Sequence, residues 1–362
     1  MVSRSYFVTG ANSGCGLEAT RQLAIHFSPD CHTDDNTIDE TIIIYLLCRS
    51  EEKARDAIEA IRESIRSERG RIDENAVRLR FMKFDAYDDE ATIRKNIVLA
   101  LGDADSENMA VLGGVVLNAG GFGDARAPSV RGGGDSEETH PVACGIAKLN
   151  LLGHVILVRQ LLALARTDGS TRIVAVGSEA AFVTPGLNLA GADLAAHLEG
   201  SVPLRETVAG KGYGWIKAIV VLYWAAFARR HPDLYVVTVS PGSVPGTSFL
   251  NQGAVSPFVR WMARVSTLPC IGGYHTVADG ARRYVDALLG EGDVFGAGVP
   301  PPSGSFLASR KGFAGDFGDV SELDKGAFLA DAGLQDEAWA AVERFLPPTT
   351  GTKHPATNRL LS

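Results

Sequence analysis

Six short apolar, β-rich runs alternate with longer helix-like stretches along most of this chain, and that alternation limits its fold more than any other feature. The runs are Tyr6 to Thr9, Thr41 to Cys48, Val77 to Phe84, Val115 to Asn118, Thr171 to Gly177 and Tyr235 to Ser240. Interleaved with them are Leu17 to Phe27, Glu51 to Glu68, Asp89 to Leu101, Pro141 to Arg166 and Tyr213 to Arg230. Strict strand and helix alternation predicts an α/β fold, a doubly wound parallel sheet with helices on both faces. Gly120 to Gly134 and Val299 to Gly304 are rich in turn formers and read as loops, and Gly304 to Ser309 reads as one more strand. A single domain over residues 1–348 is expected, followed by a frayed tail over 349–362. Ser28 to Glu40 is an acidic insertion to which the sequence assigns no function.

Composition narrows the partners. With 43 acidic against 35 basic residues in 362, the net charge of −8 leaves no broad basic surface, so nucleic acid is not expected as a partner. The five cysteines form no C-x-x-C pair, which implies neither a disulfide framework nor a metal site and fits a reducing compartment. No secretory signal is read at the N-terminus, and the apolar runs read as too short to span a bilayer. The helix over Tyr213 to Arg230 is apolar nearly all round its first three turns, so it is expected to bury against the sheet or against a second copy of the chain.

Two local patterns carry chemistry. Thr9-Gly10-Ala11-Asn12-Ser13-Gly14-Cys15-Gly16 stands between the first strand and the first helix, where three glycines let the backbone approach a pyrophosphate at a helix N-terminus. Tyr213 and Lys217 stand four apart, on one face of a helix. An ammonium beside a phenol favours the phenolate, so this pair can exchange protons nearer neutral pH than a free tyrosine.

In chain order, Thr-Gly-x-x-x-Gly-x-Gly, Asn118-Ala119-Gly120, Ser178 and Tyr213-x-x-x-Lys217 resemble the motifs of the short-chain dehydrogenase/reductase family, over residues 5 to about 245. The resemblance implies a Rossmann fold and a catalytic tetrad of Asn150, Ser178, Tyr213 and Lys217. It implies cofactor contacts from Thr9, Gly10, Asn12, Ser13, Gly14, Cys15, Gly16, Asp85, Asn118, Ala119, Gly120, Tyr213, Lys217, Pro241, Gly242, Val244 and Thr247. Asp85 suits equally well an N-cap for the helix starting near Asp88. Where the family places an acidic residue on the adenosine ribose of NAD, this chain has Cys48 followed by Arg49. A guanidinium fork suits a 2′-phosphate, so NADP(H) is expected over NAD(H), with a solvated Arg49 as the alternative.

The implied reaction is hydride transfer between NADPH and a carbonyl or alcohol, with Tyr213 handling the proton and Ser178 bonding the oxygen. A cofactor-binding regulatory protein is the competing class, because fold does not fix function. Epimerase or dehydratase chemistry fits the spacing of Gly10, Gly14 and Gly16 less well. Four departures stand out: Gly177 in place of the first of two serines, Ile216 in place of a small residue, Thr247 a residue or two late after Pro241-Gly242, and a separation of 35 positions from Ser178 to Tyr213. That long spacing resembles the retinol dehydrogenase, protochlorophyllide reductase and sterol ketoreductase branches. A substrate-covering segment is expected about 243–275, where Phe249, Leu250, Phe258, Trp261 and Met262 imply a small apolar substrate or core packing, and Arg260 with Arg264 a membrane contact.

Overall fold

A computed structural model describes residues 2–29, 40–102, 110–121, 142–183, 193–200, 211–244, 275–296, 299–311, 314–321 and 323–347. Thr247, the segment 245–274 and the tail from 348 lie outside the described residues.

The strands are β1 (Val2–Thr9), β2 (Glu40–Cys48), β3 (Val77–Lys83), β4 (Val111–Leu117), β5 (Arg172–Val176), β6 (Tyr235–Val239), β7 (Phe306–Lys311) and β8 (Ala314–Asp319). They form one sheet in the order β3-β2-β1-β4-β5-β6-β7-β8. Every pairing is parallel except β7 with β8. The helices are α1 (Gly14–Phe27), α2 (Glu51–Arg69), α3 (Glu90–Leu101), α4 (Gly145–Leu164), α5 (Leu194–Glu199), α6 (Lys211–Arg230), α7 (Val277–Leu289) and α8 (Ala332–Glu343). Two separate hydrophobic layers cover the sheet, one built with α1, α2 and α7 and the other with α3, α4, α6 and α8. This is the Rossmann doubly wound arrangement, and its strand order reverses between β1 and β4, where such sheets open a ligand crevice at their carboxyl ends.

Local chemistry sets several boundaries. Asp89, rather than Asp85, caps α3, its carboxylate accepting from the Thr92 N–H at 2.7 Å. Asp85 instead closes its own turn, accepting from the Tyr87 N–H at 3.1 Å. β4 begins at Val111, four residues before the expected start, because Gly113 and Gly114 interrupt its apolar run; its pairing with β1 continues past them with a register shift that skips Gly113. The helix α4 corrects the expectation that no apolar run is long enough for a membrane: Gly145–Leu164 spans 20 residues with mean hydropathy 1.4. It is 72% buried inside the protein, as a core helix is.

The all-round apolar character of α6 is also explained inside one chain. One side rests on β6, and α8 covers another. Trp339 of α8 stacks on Tyr223 with centroids 5.0 Å apart and planes 2° from parallel. Asp336 receives Arg229 at 2.6 Å and Arg230 at 3.0 Å, and Glu343 pairs with Arg159 of α4. Trp339→Ala should cost about 2 kcal/mol by loss of a half-buried aromatic contact, read as a lower thermal midpoint. Ending the chain after Asp331 should uncover Tyr223 and Phe227 and produce self-association, read by light scattering on a sizing column; a monodisperse monomer would contradict this packing.

Candidate active site

The crevice at the strand reversal is built by ties between β1 and β4. Asn118 Nδ2 donates to the Thr9 carbonyl at 3.0 Å, and the Ala119 N–H donates to Thr9 Oγ1 at 2.8 Å. Gly10 (φ 66°) donates its N–H to the Leu47 carbonyl at 2.8 Å, and Gly14 also turns through a positive φ of 57°. At Gly16 a Cβ would lie 2.4 Å from the Gly10 carbonyl oxygen and 2.5 Å from Asn118 Nδ2, so only glycine fits. Ser13 precedes α1 with an extended backbone and no side-chain cap bond, and the first turn of α1 carries no acid. That leaves backbone N–H donors and the positive helix end available to an anion, so a dinucleotide pyrophosphate fits here. Asn12 is half-buried and Ser13 exposed at the mouth of this turn, whereas the Cys15 thiol points into the core and burial raises its pKa to about 11. At the end of β2, Cys48 is buried, its thiol donating to the Ser50 carbonyl at 3.4 Å, and Arg49 is exposed. Asp85 lies half-buried after β3.

The proposed proton carriers meet at the carboxyl ends of β4 and β5. Tyr213 is hydrogen-bonded to Ser178, whose Oγ also accepts from the Ala180 N–H at 3.2 Å. Lys217 is buried with its Nζ 5.6 Å from the Tyr213 ring centroid, and it donates to the Val176 carbonyl at 2.8 Å. Burial decides the protonation of both groups. It pushes the Tyr213 phenol well above its ordinary value, with the Ser178 bond opposing and the Glu179 charge adding to the rise. It lowers Lys217 to about 7. The Tyr213 shift is therefore opposite to the one the Tyr–Lys spacing alone predicts, because desolvation of the phenolate dominates it.

Asn150 lies in a π turn, Lys148–Leu152, inside α4. Its side chain is fully used: Nδ2 donates to the Gly121 carbonyl at 2.8 Å and the Ile146 carbonyl at 2.9 Å, and Oδ1 accepts from the Gly121 N–H at 3.3 Å. A Cβ on Gly120 would come within 2.9 Å of that Oδ1. The amide thus clamps the chain leaving β4. Gly177 is explained as well, since a side chain there would meet Phe306 at 2.6 Å and Thr238 at 2.8 Å. Ile216 is buried beside α5, whose His197 stacks on Trp215 at 3.9 Å, so part of the long Ser178–Tyr213 spacing is spent on a helix that packs against α6. Pro241, Gly242 and Val244 follow β6 at the same edge of the sheet, half-buried.

Several residues of the site carry no clear sequence signal. His154 is wholly buried, its Nε2 3.2 Å from Thr9 Oγ1 and its ring bonded to the Asn150 backbone. Burial first and Lys217 second lower it to about 3, so it is neutral. Its spacing of four from Asn150 was the available clue. Glu179, Ser240, His275 and Arg283 form a buried polar cluster behind Ser178. Of these, only the start of α7 was legible, through the capping box of Thr276 and Asp279.

No family model matches the chain. A curated protein, "Short-chain dehydrogenase/reductase 1" of Saponaria officinalis, is 26% identical over 284 residues, covering 69% of this chain and 87% of its own. Salutaridine reductase from Papaver somniferum has a similar structure, with TM-score 0.52 and 21% identity over 84% of this chain and 99% of its own. A crystal structure of an uncharacterised protein from Mycobacterium paratuberculosis gives TM-score 0.55 and 21% identity over 94% and 92%. The fold is shared with these structures, and the curated relative at 26% identity is itself a short-chain dehydrogenase/reductase by its description.

Two outcomes test this geometry. Gly16→Ala should weaken NADPH binding by about tenfold or more, measured by nicotinamide fluorescence, because the turn must open to admit a methyl group. Lys217, lowered to about 7 against an ordinary 10.5, binds fewer protons folded than unfolded between those values. Its burial cost is therefore fully present below pH 7 and is relieved as pH rises toward 10.5. Wild type should gain stability relative to Lys217→Met over that window in chemical denaturation; parallel pH curves would contradict the buried ammonium.

Proposed function

We propose that this chain is an NADP(H)-dependent oxidoreductase that moves hydride between the nicotinamide and the carbonyl or alcohol group of a bulky apolar substrate. The observation that carries the reading is the Tyr213–Ser178 hydrogen bond at the end of β5, beside buried Lys217 and across the crevice from the glycine turn. A bound nicotinamide would supply the hydride. Tyr213 keeps its proton in the resting protein, the form that carbonyl reduction needs, and passes it to the substrate oxygen. Ser178 donates a hydrogen bond to that same oxygen as its charge grows. The Lys217 ammonium offsets the phenolate left behind, and its bond to the Val176 carbonyl fixes its place. Gly10, Gly14, Gly16 and the start of α1 would hold the pyrophosphate, with Asn12 and Ser13 at its edge.

Preference for NADP(H) is supported by the end of β2, where an exposed guanidinium and a buried thiol stand in place of a carboxylate. A carboxylate there would repel a 2′-phosphate, and Arg49 would attract it. The substrate class rests on the sequence of 248–272 alone, outside the described residues, for which core packing and a membrane contact are the competing readings.

Tyr213→Phe should lower carbonyl-dependent NADPH oxidation by about 10²–10⁴-fold while leaving NADPH affinity nearly unchanged. The panel should span retinal, steroid ketones, long-chain aldehydes and aryl ketones. NADPH binding without turnover on every member, for wild type as for the variant, would favour a regulatory nucleotide-binding protein. Arg49→Ala should weaken NADPH by about tenfold, about 1.4 kcal/mol, and leave NADH unaffected; equal effects on both would remove the 2′-phosphate assignment.

A further inference from the structure

Directly behind Ser178 lies a buried pair of charges that the hydride-transfer chemistry does not use. Glu179 is 1% exposed and Arg283, on α7, is 7% exposed. Glu179 Oε2 accepts from Ser240 Oγ–H at 2.6 Å, and Oε1 accepts from the Ser309 N–H at 3.1 Å. Arg283 NH1 stands 4.0 Å from Glu179 and donates to the Ser240 carbonyl at 3.2 Å and to Ser309 Oγ at 3.1 Å. Its NH2 meets His275 Nε2 at 2.9 Å, and its guanidinium lies over the Phe317 ring at 4.6 Å.

The bonds to Ser309 tie the pair to β7, and those to Ser240 and His275 bear on the chain just after β6. Ser240 Oγ accepts from the Gly242 N–H at 3.2 Å, and the His275 N–H donates to the Ser243 carbonyl at 2.9 Å. Gly242 has a positive φ of 77°, and a Cβ there would strike the His275 ring at 2.2 Å. The backbone of Ser240 to Ser243 is thus held from the Glu179 side and from the Arg283–His275 side at once.

We propose that Glu179 and Arg283 are positioning residues that set the Ser240–Gly242 backbone against the nicotinamide end of the cofactor site. This rests on the cofactor reading above. Burying two charges is costly, and an apolar pair of similar volume could hold α7 to the sheet at least as well. An apolar pair cannot accept from Ser240 and Ser309 while donating to the Ser240 carbonyl and His275. Glu179 directly follows Ser178 after β5 and Arg283 faces it from α7, so a shift in Ser240–Gly242 changes where the nicotinamide would lie relative to Tyr213 and Ser178, and placement errors of an ångström are expensive in rate.

The test separates positioning from stability. Arg283→Met alone strands the Glu179 charge and should lower the thermal midpoint. The double variant Glu179→Leu/Arg283→Met should recover that midpoint yet bind NADPH about tenfold more weakly than wild type, by isothermal titration. Recovery of both midpoint and affinity would make the pair purely structural and overturn the proposal. Should the double variant fail to fold, Ser240→Ala decides alone, since it cuts the link from Glu179 to Gly242 without stranding a charge. Weaker NADPH binding at a native-like midpoint is expected there, and unchanged affinity overturns the proposal. Wild-type protein that binds no nicotinamide nucleotide would instead overturn the cofactor reading, and the pair's role with it.

Discussion

The junction of β1 and β4 is the constraint on which the rest of the site depends. The carbonyl and the hydroxyl of Thr9 are both committed to the chain leaving β4: the carbonyl to Asn118 and the hydroxyl to the Ala119 N–H. Asn118 in turn leaves no room for anything but glycine at position 16, so the tie fixes the closeness of α1 to the sheet. The same hydroxyl reaches His154, and His154 reaches the backbone of Asn150, whose amide holds Gly121. One threonine therefore connects the glycine turn, the end of β4 and the π turn of α4. A parallel sheet splayed at this point has a crevice because its helices leave on opposite faces; the side-chain ties give that crevice a fixed width.

Burial, more than pairwise charge, sets the protonation of the groups around it. Tyr213 is raised, Lys217 lowered, His154 lowered and Glu179 raised, and desolvation is the largest cause in each case. Every one of these shifts favours the neutral form. The result is a resting site in which the phenol holds its proton and the imidazole holds none. Negative charge that develops on a substrate oxygen would then meet oriented donors with few competing charges, the condition under which hydrogen bonds in a dry site act most strongly.

The sequence made the architecture legible because burial on both faces of a parallel sheet leaves unmistakable apolar runs: β2, β3, β5 and β6 fall where those runs stand, and β1 starts four residues earlier, at Val2. β8 was invisible: Ala314 to Asp319 has the residues of a loop and becomes a strand only by pairing with β7. α7 and α8 carry mixed patterns over short lengths, though the capping box before α7 was a usable sign. At the site, Tyr213, Lys217 and the glycine turn could be read from spacing, since a helix face and a tight turn are local properties. Glu179 with Arg283 could not, because the contact spans 104 positions and exists only after β5, β6, β7 and α7 have assembled. The direction of the Tyr213 shift was also beyond local reading, as it depends on how completely α6 is enclosed.

That enclosure reaches far from the chemistry. α6 carries Tyr213 and Lys217 near its first turns, and its later turns present Tyr223, Trp224 and Phe227, all buried. A helix apolar on all sides has no stable place at the surface of a sheet unless something covers its outer side. Here α8, more than a hundred residues downstream, supplies the cover through Trp339 and through Asp336 and Glu343 on Arg229, Arg230 and Arg159. α8 thus packs on the later turns of the helix that carries Tyr213 and Lys217, and its removal would leave the outer side of that helix uncovered.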